Sequence, residues 1–246
     1  GDFHIKNGAN TAFYKGIQFN SMAVRFTEGA SLIIEPGYSL ELIDADFDNE
    51  CIEMWKGVVN NSGEFISDGL SGKSSINHAE VALNSLPGSK LTINNTNFYD
   101  NILGIEADHL SLDGDNVQSW KIGGSIFGHT NMLSNKYAGQ FWDIGSRPMA
   151  GISLNNTNVL IGVSASQGGL NTFSDMHSGI ISSQAQVEIK NAIFNNIESD
   201  PVYPYKPGSA CIYGNNQSKI NVIRTTFNAI NANNALATKG ILLNNG

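Results

Sequence analysis

Pairs of a small residue and a large aliphatic residue recur along the chain, and an aromatic or aliphatic residue precedes each pair at a fixed distance. The distance to the aliphatic member of the pair is 7 residues in three cases, Ile76 to Leu83, Phe98 to Ile105 and Phe173 to Ile180. A constant spacing with occasional insertions indicates stacked repeats, because each repeat packs on its neighbour through equivalent positions.

Short runs with alternating apolar residues lie between these positions, at residues 91–93, 110–112, 159–161, 187–189 and 220–222. Such alternation is typical of a half-buried strand. One repeat, from Leu83 to Ile105, therefore contains three short strands in about 22 residues. This predicts an all-β parallel β-helix whose coils stack at the ~4.8 Å spacing between neighbouring strands.

The prediction places equivalent side chains in continuous interior columns. One column should contain Leu83, Ile105, Ile152, Ile180, Ile212 and Ile241, and a second should contain Phe98, Phe127, Phe173, Phe194 and Phe227. The pairs that begin at Asn94, Asn155, Asn195 and Asn215 fall at turns, where asparagine tolerates a positive φ. A β-sandwich or barrel would also explain many short strands, but it would not explain the constant return of 7 residues.

Composition and charge limit the classes of molecule that the chain is expected to bind. The repeat runs through most of the 246 residues, so we predict a single domain over 1–246, with irregular coils in 1–50 and regular coils in 51–246. The net charge is −8 and no basic cluster is present, which argues against nucleic acid as a partner. No apolar run approaches the ~18 residues of a membrane span, so we expect no membrane insertion.

Residues 239–243 begin a further coil that the sequence does not complete. Because an open coil end exposes an unpaired strand edge, we expect a longer parent protein with further coils or a protein partner at this end. The alternative is a short terminal strand that caps itself.

Three stretches, at residues 55–58, 75–79 and 95–101, are similar to repeats in secreted surface proteins of Gram-negative bacteria. Together with the spacing, they resemble the right-handed parallel β-helix superfamily, which has the pectate-lyase-like fold, over roughly residues 30–246. This resemblance implies an extracellular or cell-surface location and contact with polysaccharide or other surfaces. It is specific for the fold rather than for an activity.

The superfamily also contains pectate lyases and polygalacturonases, whose motifs this chain matches poorly. A polygalacturonase-like site uses several aspartates and a Gly-His-Gly sequence, whereas residues 127–130 match only Gly-His. A lyase-like site uses a calcium cluster opposite an arginine or lysine base, and the three arginines here form no such pattern. The resemblance favours a non-catalytic role, with an enzyme of the same fold as the alternative.

A polar column follows the Phe column by two residues, at His78, Asp100, His129, Asp175 and Asn196. An acid between two bases on neighbouring coils suits general acid–base chemistry, so Asp100, His129 and Asp175 are weak catalytic candidates. A ladder of hydrogen-bonding turn residues explains the same column, and the asparagine in the later coil favours that interpretation.

An acidic run places Asp44, Asp46 and Asp48 at alternate positions, and carboxylates at this density suit calcium. The run does not match an EF-hand loop, because Asn49 replaces the required glycine and Trp55 the final glutamate. Calcium is the only cofactor that the sequence indicates, and a solvated acidic loop is the alternative.

Two insertions interrupt the repeat after the Phe column. Phe127 to Ile152 takes 25 residues and Phe194 to Ile212 takes 18, so both loops should leave the coils at the same corner, ~10 Å apart. Aromatic, carboxylate and guanidinium groups in them suit sugar binding, and the candidate ligand-binding residues are Tyr137, Trp142, Asp143, Arg147, Tyr203 and Tyr205. The alternative is that the rings fold back over apolar surface.

Three functions follow from these observations. The first is a non-catalytic segment of a secreted bacterial protein, an adhesin that contacts polysaccharide or cell-surface glycan. The second is a polysaccharide lyase or glycoside hydrolase of the same fold. The third is a structural spacer or stalk.

Overall fold

The computed structural model of the chain describes residues 3–5, 16–69, 73–108, 120–130, 133–162, 169–203, 209–228 and 239–244, and their only regular secondary structure is β-strand. In chain order the strands are β1 (Phe3–Ile5), β2 (Ile17–Asn20), β3 (Ala23–Phe26), β4 (Ser31–Ile34), β5 (Ser39–Ile43), β6 (Asp46–Asn49), β7 (Gly57–Asn60), β8 (Glu64–Asp68), β9 (Ser74–Asn77), β10 (Val81–Ser85), β11 (Lys90–Asn94), β12 (Thr96–Tyr99), β13 (Leu103–Asp108), β14 (Trp120–Gly123), β15 (Ile126–Gly128), β16 (Ala150–Asn155), β17 (Asn158–Ile161), β18 (Asn171–Ser174), β19 (Ser178–Ser183), β20 (Gln186–Lys190), β21 (Ala192–Asn195), β22 (Ala210–Asn215), β23 (Lys219–Ile223), β24 (Thr226–Asn228) and β25 (Lys239–Asn244). Within this described part, no helix has the length and hydropathy of a membrane span.

The strands form three sheets whose strand pairs are all parallel. The Phe sheet has nine strands in the order β1-β3-β6-β9-β12-β15-β18-β21-β24. The Ile sheet has eight, in the order β4-β7-β10-β13-β16-β19-β22-β25, and the third sheet has eight, in the order β2-β5-β8-β11-β14-β17-β20-β23. From β3 onward the chain visits the Phe sheet, the Ile sheet and the third sheet in turn. We call one such circuit a coil, and the arrangement is compatible with the predicted three-faced parallel β-helix.

Strand register confirms both interior columns. In the Ile sheet, Leu83 is paired in register with Ile105, and the column continues through Ile152, Ile180, Ile212 and Ile241. In the Phe sheet, the rings of Phe98, Phe127, Phe173, Phe194 and Phe227 are stacked nearly parallel, with successive centroids 4.8, 4.9, 4.8 and 5.3 Å apart. The strand spacing therefore places like residues on like, as the repeat predicts.

The stacked rings explain the small residue that precedes each isoleucine. A Cβ on Gly151 would lie 2.6 Å from the Phe173 ring, and one on Gly179 would lie 2.4 Å from the Phe194 ring. Both distances are shorter than van der Waals contact, so no larger side chain fits without displacing the ring. In each recurring pair, the small residue therefore leaves space for a phenylalanine ring, and the aliphatic residue fills the core.

Turn conformation confirms the predicted role of the asparagines. Asn95, Asn156, Asn196 and Asn216 all have a positive φ, between 48° and 50°. Asparagine adopts this left-handed conformation more readily than most non-glycine residues, so these positions allow tight turns between strands.

Two parts of the chain differ from the sequence-based expectation. The strand expected at 110–112 falls among residues 109–119, which lie outside the described part, and β14 takes its place, with Trp120 opposite Leu91 and Ile122 opposite Ile93. The apolar alternation indicates a strand but does not specify which run pairs. In the N-terminal part, predicted to be irregular, Val24 pairs with Phe47 and Leu40 with Phe65 in the same sheets as the later coils.

Candidate functional site

Both insertions leave the coils at the corner where the chain passes from the Phe sheet to the Ile sheet. The first insertion, residues 129–149, follows β15, and the second insertion, residues 196–209, follows β21. Only β18 separates these two strands in the Phe sheet. A shorter turn at residues 50–56 joins the same corner, because Met54 donates its backbone N–H to Asn135 (2.8 Å) and Asn135 donates to Ile52 (2.7 Å).

A buried carboxylate fixes the first insertion. Glu80 is only 7 % exposed and lies directly before β10. It accepts hydrogen bonds from the backbone N–H groups of Phe141 (2.8 Å) and Trp142 (2.9 Å), and from the hydroxyl of Tyr137. Burial, together with the hydrogen bond to Glu80 and its charge, raises the pKa of Tyr137, so the phenol stays protonated and donates. The tip of the loop is therefore held by three donors on one acceptor.

A second buried carboxylate joins the two insertions. Asp200, 2 % exposed, accepts hydrogen bonds from the backbone N–H (2.7 Å) and the hydroxyl (2.8 Å) of Ser146 and from the N–H of Val202 (2.9 Å). Burial alone would raise its pKa, but these hydrogen bonds outweigh that effect and lower the pKa of Asp200. Asp200 is thus ionised at neutral pH and links both loops.

Tyr203 adds a second contact between the insertions. Its hydroxyl accepts from the N–H of Gly145 (2.9 Å) and donates to the carbonyl oxygen of Arg147 (3.2 Å). Burial raises the pKa of Tyr203 to about 12, so the hydroxyl keeps its proton. The side chain of Arg147 forms an ion pair with Glu198 at 2.8 Å, again across the two loops. The insertions therefore form one structure at the corner, as expected from their common origin.

The rings of the insertions divide into buried and exposed groups. Tyr137 and Tyr203 are 7 % and 5 % exposed and pack in a second apolar cluster outside the main core, with residues including Val81, Leu103 and Ile181. These two rings cover apolar surface, which was the alternative to ligand contact. Tyr205 lies outside the described residues.

Phe141 and Trp142 form the exposed group. Phe141 is 80 % exposed and Trp142 is half-buried, and their ring centroids lie 5.0 Å apart with an edge-on angle of 86°. We call this pair the aromatic platform. Beside it, the exposed carboxylate of Asp143 accepts from Lys136 at 3.0 Å. The sequence-based selection named Trp142 and Asp143 as ligand contacts but did not include Phe141, the most exposed ring.

The first part of the polar column forms a ladder of acids and bases that runs from Asp48 through His78 and Asp100 to His129. Asp100, 1 % exposed, accepts hydrogen bonds from His129 Nδ1 at 2.7 Å and from both the N–H (2.9 Å) and the hydroxyl (2.7 Å) of Thr130. His78 lies between two carboxylates, with Nδ1 at 2.7 Å from Asp48 and Nε2 at 3.8 Å from Asp100. The structure thus brings the predicted Asp100 and His129 together, whereas the Asp175 carboxylate is hydrogen-bonded by Asn196 on the following coil.

The electrostatics of the ladder affect His78 most clearly. Burial of the imidazole disfavours its charged form, but the hydrogen bond to Asp48 and the charges of Asp48, Asp100 and Asp46 outweigh burial and raise the pKa of His78. The turn interpretation also holds, since His78, Asp100 and Asp175 have positive φ values of 54°, 58° and 57°. One row of residues therefore shapes the turns and carries coupled charges.

The acidic run is largely engaged by other side chains. Asp46 forms an ion pair with Arg25 at 2.9 Å and accepts from the Ser75 hydroxyl, while Asp44 occupies a turn with φ of 50°. No group of three or more His, Cys, Asp or Glu side chains arranged to hold a metal ion occurs among the described residues. Calcium binding at Asp44, Asp46 and Asp48 stays a prediction.

Glu80 and Asp200 are the site residues that sequence reasoning missed. Each precedes a recognisable element, Glu80 the apolar β10 and Asp200 the proline-rich segment of the second insertion. The sequence signal for both residues is a carboxylate at the corner where the loops leave the coils. Their partners are mostly backbone N–H groups of the loops, which have no pattern in the sequence.

No protein-family model matches this chain, and no curated protein or solved structure matches it either.

Proposed function

We propose that this chain is a right-handed parallel β-helix segment of a secreted or cell-surface protein, and that the aromatic platform contacts polysaccharide without cleaving it. The observation that carries the proposal is the exposure of Phe141, 80 %, on a loop whose backbone Glu80 holds in place. Exposed apolar surface that is rigidly presented is typical of a contact site, since little conformational entropy is lost on binding.

The chemistry of the platform suits a pyranose ring. The apolar C–H face of a sugar stacks on an aromatic ring, and Asp143 beside the rings can accept hydrogen bonds from sugar hydroxyls. The stacked coils support the platform from below through the second apolar cluster, which includes Tyr137 and Tyr203. A polymer rather than a single sugar fits the long open faces that stacked coils present.

A glycan array tests this proposal with the wild-type chain and the double variant Phe141→Ala/Trp142→Ala. The wild type should bind a defined set of polysaccharides, and the double variant should lose that binding while keeping its circular dichroism spectrum. The variant Ile52→Ala is the control, because Ile52 is exposed at the same corner but carries no ring. Binding that survives loss of both rings would contradict the proposal, and absence of any bound glycan would favour the spacer.

A second candidate function, cleavage of polysaccharide as a lyase or hydrolase, is favoured by one observation. The buried Asp100 holds His129 Nδ1 at 2.7 Å, which leaves Nε2 as the nitrogen that can take up a proton. Depolymerisation of a bound polysaccharide that disappears in His129→Ala would support this function. If no reducing ends or unsaturated products form, the non-catalytic proposal stands.

We also propose that a further coil or a protein partner covers β25. Ile241 and Leu243 on this strand are 45 % and 57 % exposed, whereas Ile212, the preceding member of the Ile column, is fully buried. Leu243→Ser should reduce any self-association seen by analytical ultracentrifugation. If Leu243→Ser leaves the self-association unchanged, the exposure of β25 no longer supports a covering coil or partner.

A further inference from the structure

The charges around the aromatic platform bear on which polysaccharide it accepts, and this inference rests on the proposed function. The first insertion contains two Lys or Arg residues, Lys136 and Arg147. Lys136 Nζ lies 3.0 Å from Asp143 and Arg147 Nη2 lies 2.8 Å from Glu198. Both cations are therefore already neutralised by carboxylates of the protein.

The two insertions hold further negative charge. Asp200 is 2 % exposed and ionised, and it bonds to Ser146, four residues after Trp142. A buried charge is screened less by salt than an exposed one, so Asp200 adds to the negative potential of these loops. Asp143, whose side chain is 77 % exposed, adds a carboxylate directly beside the rings.

We propose that the aromatic platform selects uncharged polysaccharides and rejects polyuronates. A neutral pyranose can stack on Phe141 or Trp142 and donate hydroxyl hydrogens to Asp143 without a charge penalty. A uronate would place its own carboxylate near Asp143, and Lys136, the described cation that contacts this aspartate, already pairs with it. Repulsion between like charges weakens binding of a polyuronate more than it changes the affinity for a neutral polysaccharide.

The experiment compares ligands that differ only in charge. The probes are polygalacturonate and its carboxyl-reduced form, which has the same linkage and length but no charge, together with a neutral β-glucan and a neutral xylan. Affinity electrophoresis of the wild-type chain should show retardation by at least one neutral polymer and none by polygalacturonate. Affinity for the neutral polymer should be insensitive to salt.

Two substitutions make the charge argument specific. Asp143→Lys reverses the exposed charge beside the rings and should raise the affinity for polygalacturonate by up to about tenfold, since exposed charge contacts are individually modest. Lys136→Gln is the matched control, and it should not weaken binding of the neutral polymer.

The outcomes separate the two proposals. If polygalacturonate retards the protein as much as the reduced polymer does, the selectivity is overturned while polysaccharide contact stays intact. The same holds if the protein binds polygalacturonate and Lys136→Gln abolishes that binding. Neutral binding that persists in Phe141→Ala/Trp142→Ala, or no binding of any probe or array glycan, would overturn the proposed function itself.

Discussion

Glu80 shows how one residue determines the shape of a loop. Its carboxylate is buried beside the start of β10 and accepts hydrogen bonds from Tyr137 and from the consecutive N–H groups of Phe141 and Trp142. A buried acceptor is favourable only when donors satisfy it, and three donors converge here. The loop conformation that presents the aromatic platform therefore depends on a side chain outside the loop.

The first prediction is that Glu80→Gln lowers the free energy of unfolding by about 1–3 kcal/mol, because the new amide group turns an N–H₂ toward donors that need an acceptor. Urea unfolding measures the loss, and amide hydrogen exchange at Phe141 and Trp142 should become faster. Tyr137→Phe, which removes one donor and keeps the acceptor, should have the smaller effect. Unchanged exchange at both amides in Glu80→Gln would show that Glu80 does not hold the loop.

His78 provides a prediction about pH. Its pKa in the folded state is raised above the ordinary 6.5, so its stabilising effect is fully present below about pH 6.5 and is lost as the pH rises through the folded-state pKa. Protonated His78 donates toward both Asp48 and Asp100, whereas the neutral ring carries one N–H. The stability difference between wild type and His78→Gln should therefore shrink as the pH rises above about 6.5 and through the raised pKa of His78.

NMR titration of the His78 ring gives the direct check. Asp48→Asn removes the partner at 2.7 Å and should lower the pKa of His78. A stability difference that grows with pH would have the wrong sign for this account.

At the scale of secondary-structure elements, successive coils follow the same steric rule. A phenylalanine on the Phe sheet fills the space beside a small residue on the Ile sheet, as Phe173 does beside Gly151. The rule explains why glycine occupies strand interiors, where it is otherwise unfavourable. It also links two sheets through one pair of positions.

Gly151→Ala should destabilise the protein by about 1–3 kcal/mol, the usual effect of overpacking a core. The added Cβ would lie 2.6 Å from the Phe173 ring. Ser153→Ala on the same strand is the control, since Ser153 is only half-buried and alternates with the core residues Ile152 and Leu154, so its loss should change stability by less than about 0.5 kcal/mol. Equal midpoints of denaturation for the two variants would contradict the steric rule.

The repeat made the columns predictable from sequence, because the constant return fixes which residues share a register. The strand expected at 110–112 lies outside the described residues. Leu110 and Leu112 alternate as a strand does, and only the pairing of Trp120 with Leu91 identifies the strand that lies beside β11. Neither Glu80 nor Asp200 was predicted, because both act mainly on backbone N–H groups. Burial of Tyr137 and Tyr203 depends on how the insertions fold over the coils, which no local pattern specifies.

The whole molecule is a stack of coils with the two insertions packed together along one edge. Asp200 and Tyr203 of the second insertion bond to Ser146 and Gly145 of the first, so loops from coils two apart behave as one surface. Sites on rigid scaffolds hold their contact residues more precisely than isolated loops do. The central claim is that this edge contacts polysaccharide through its exposed rings.

Calorimetric titration of a glycan identified on the array tests this claim most directly, with wild type, Trp142→Ala and Leu170→Ala measured side by side. Leu170 is 48 % exposed and lies directly before β18, at the turn from the third sheet to the Phe sheet, so it serves as an apolar control away from the platform. The account predicts that Trp142→Ala weakens binding by about 1–2 kcal/mol, the loss expected for one aromatic contact, and that Leu170→Ala leaves the affinity unchanged. Equal affinities for wild type and Trp142→Ala would contradict it.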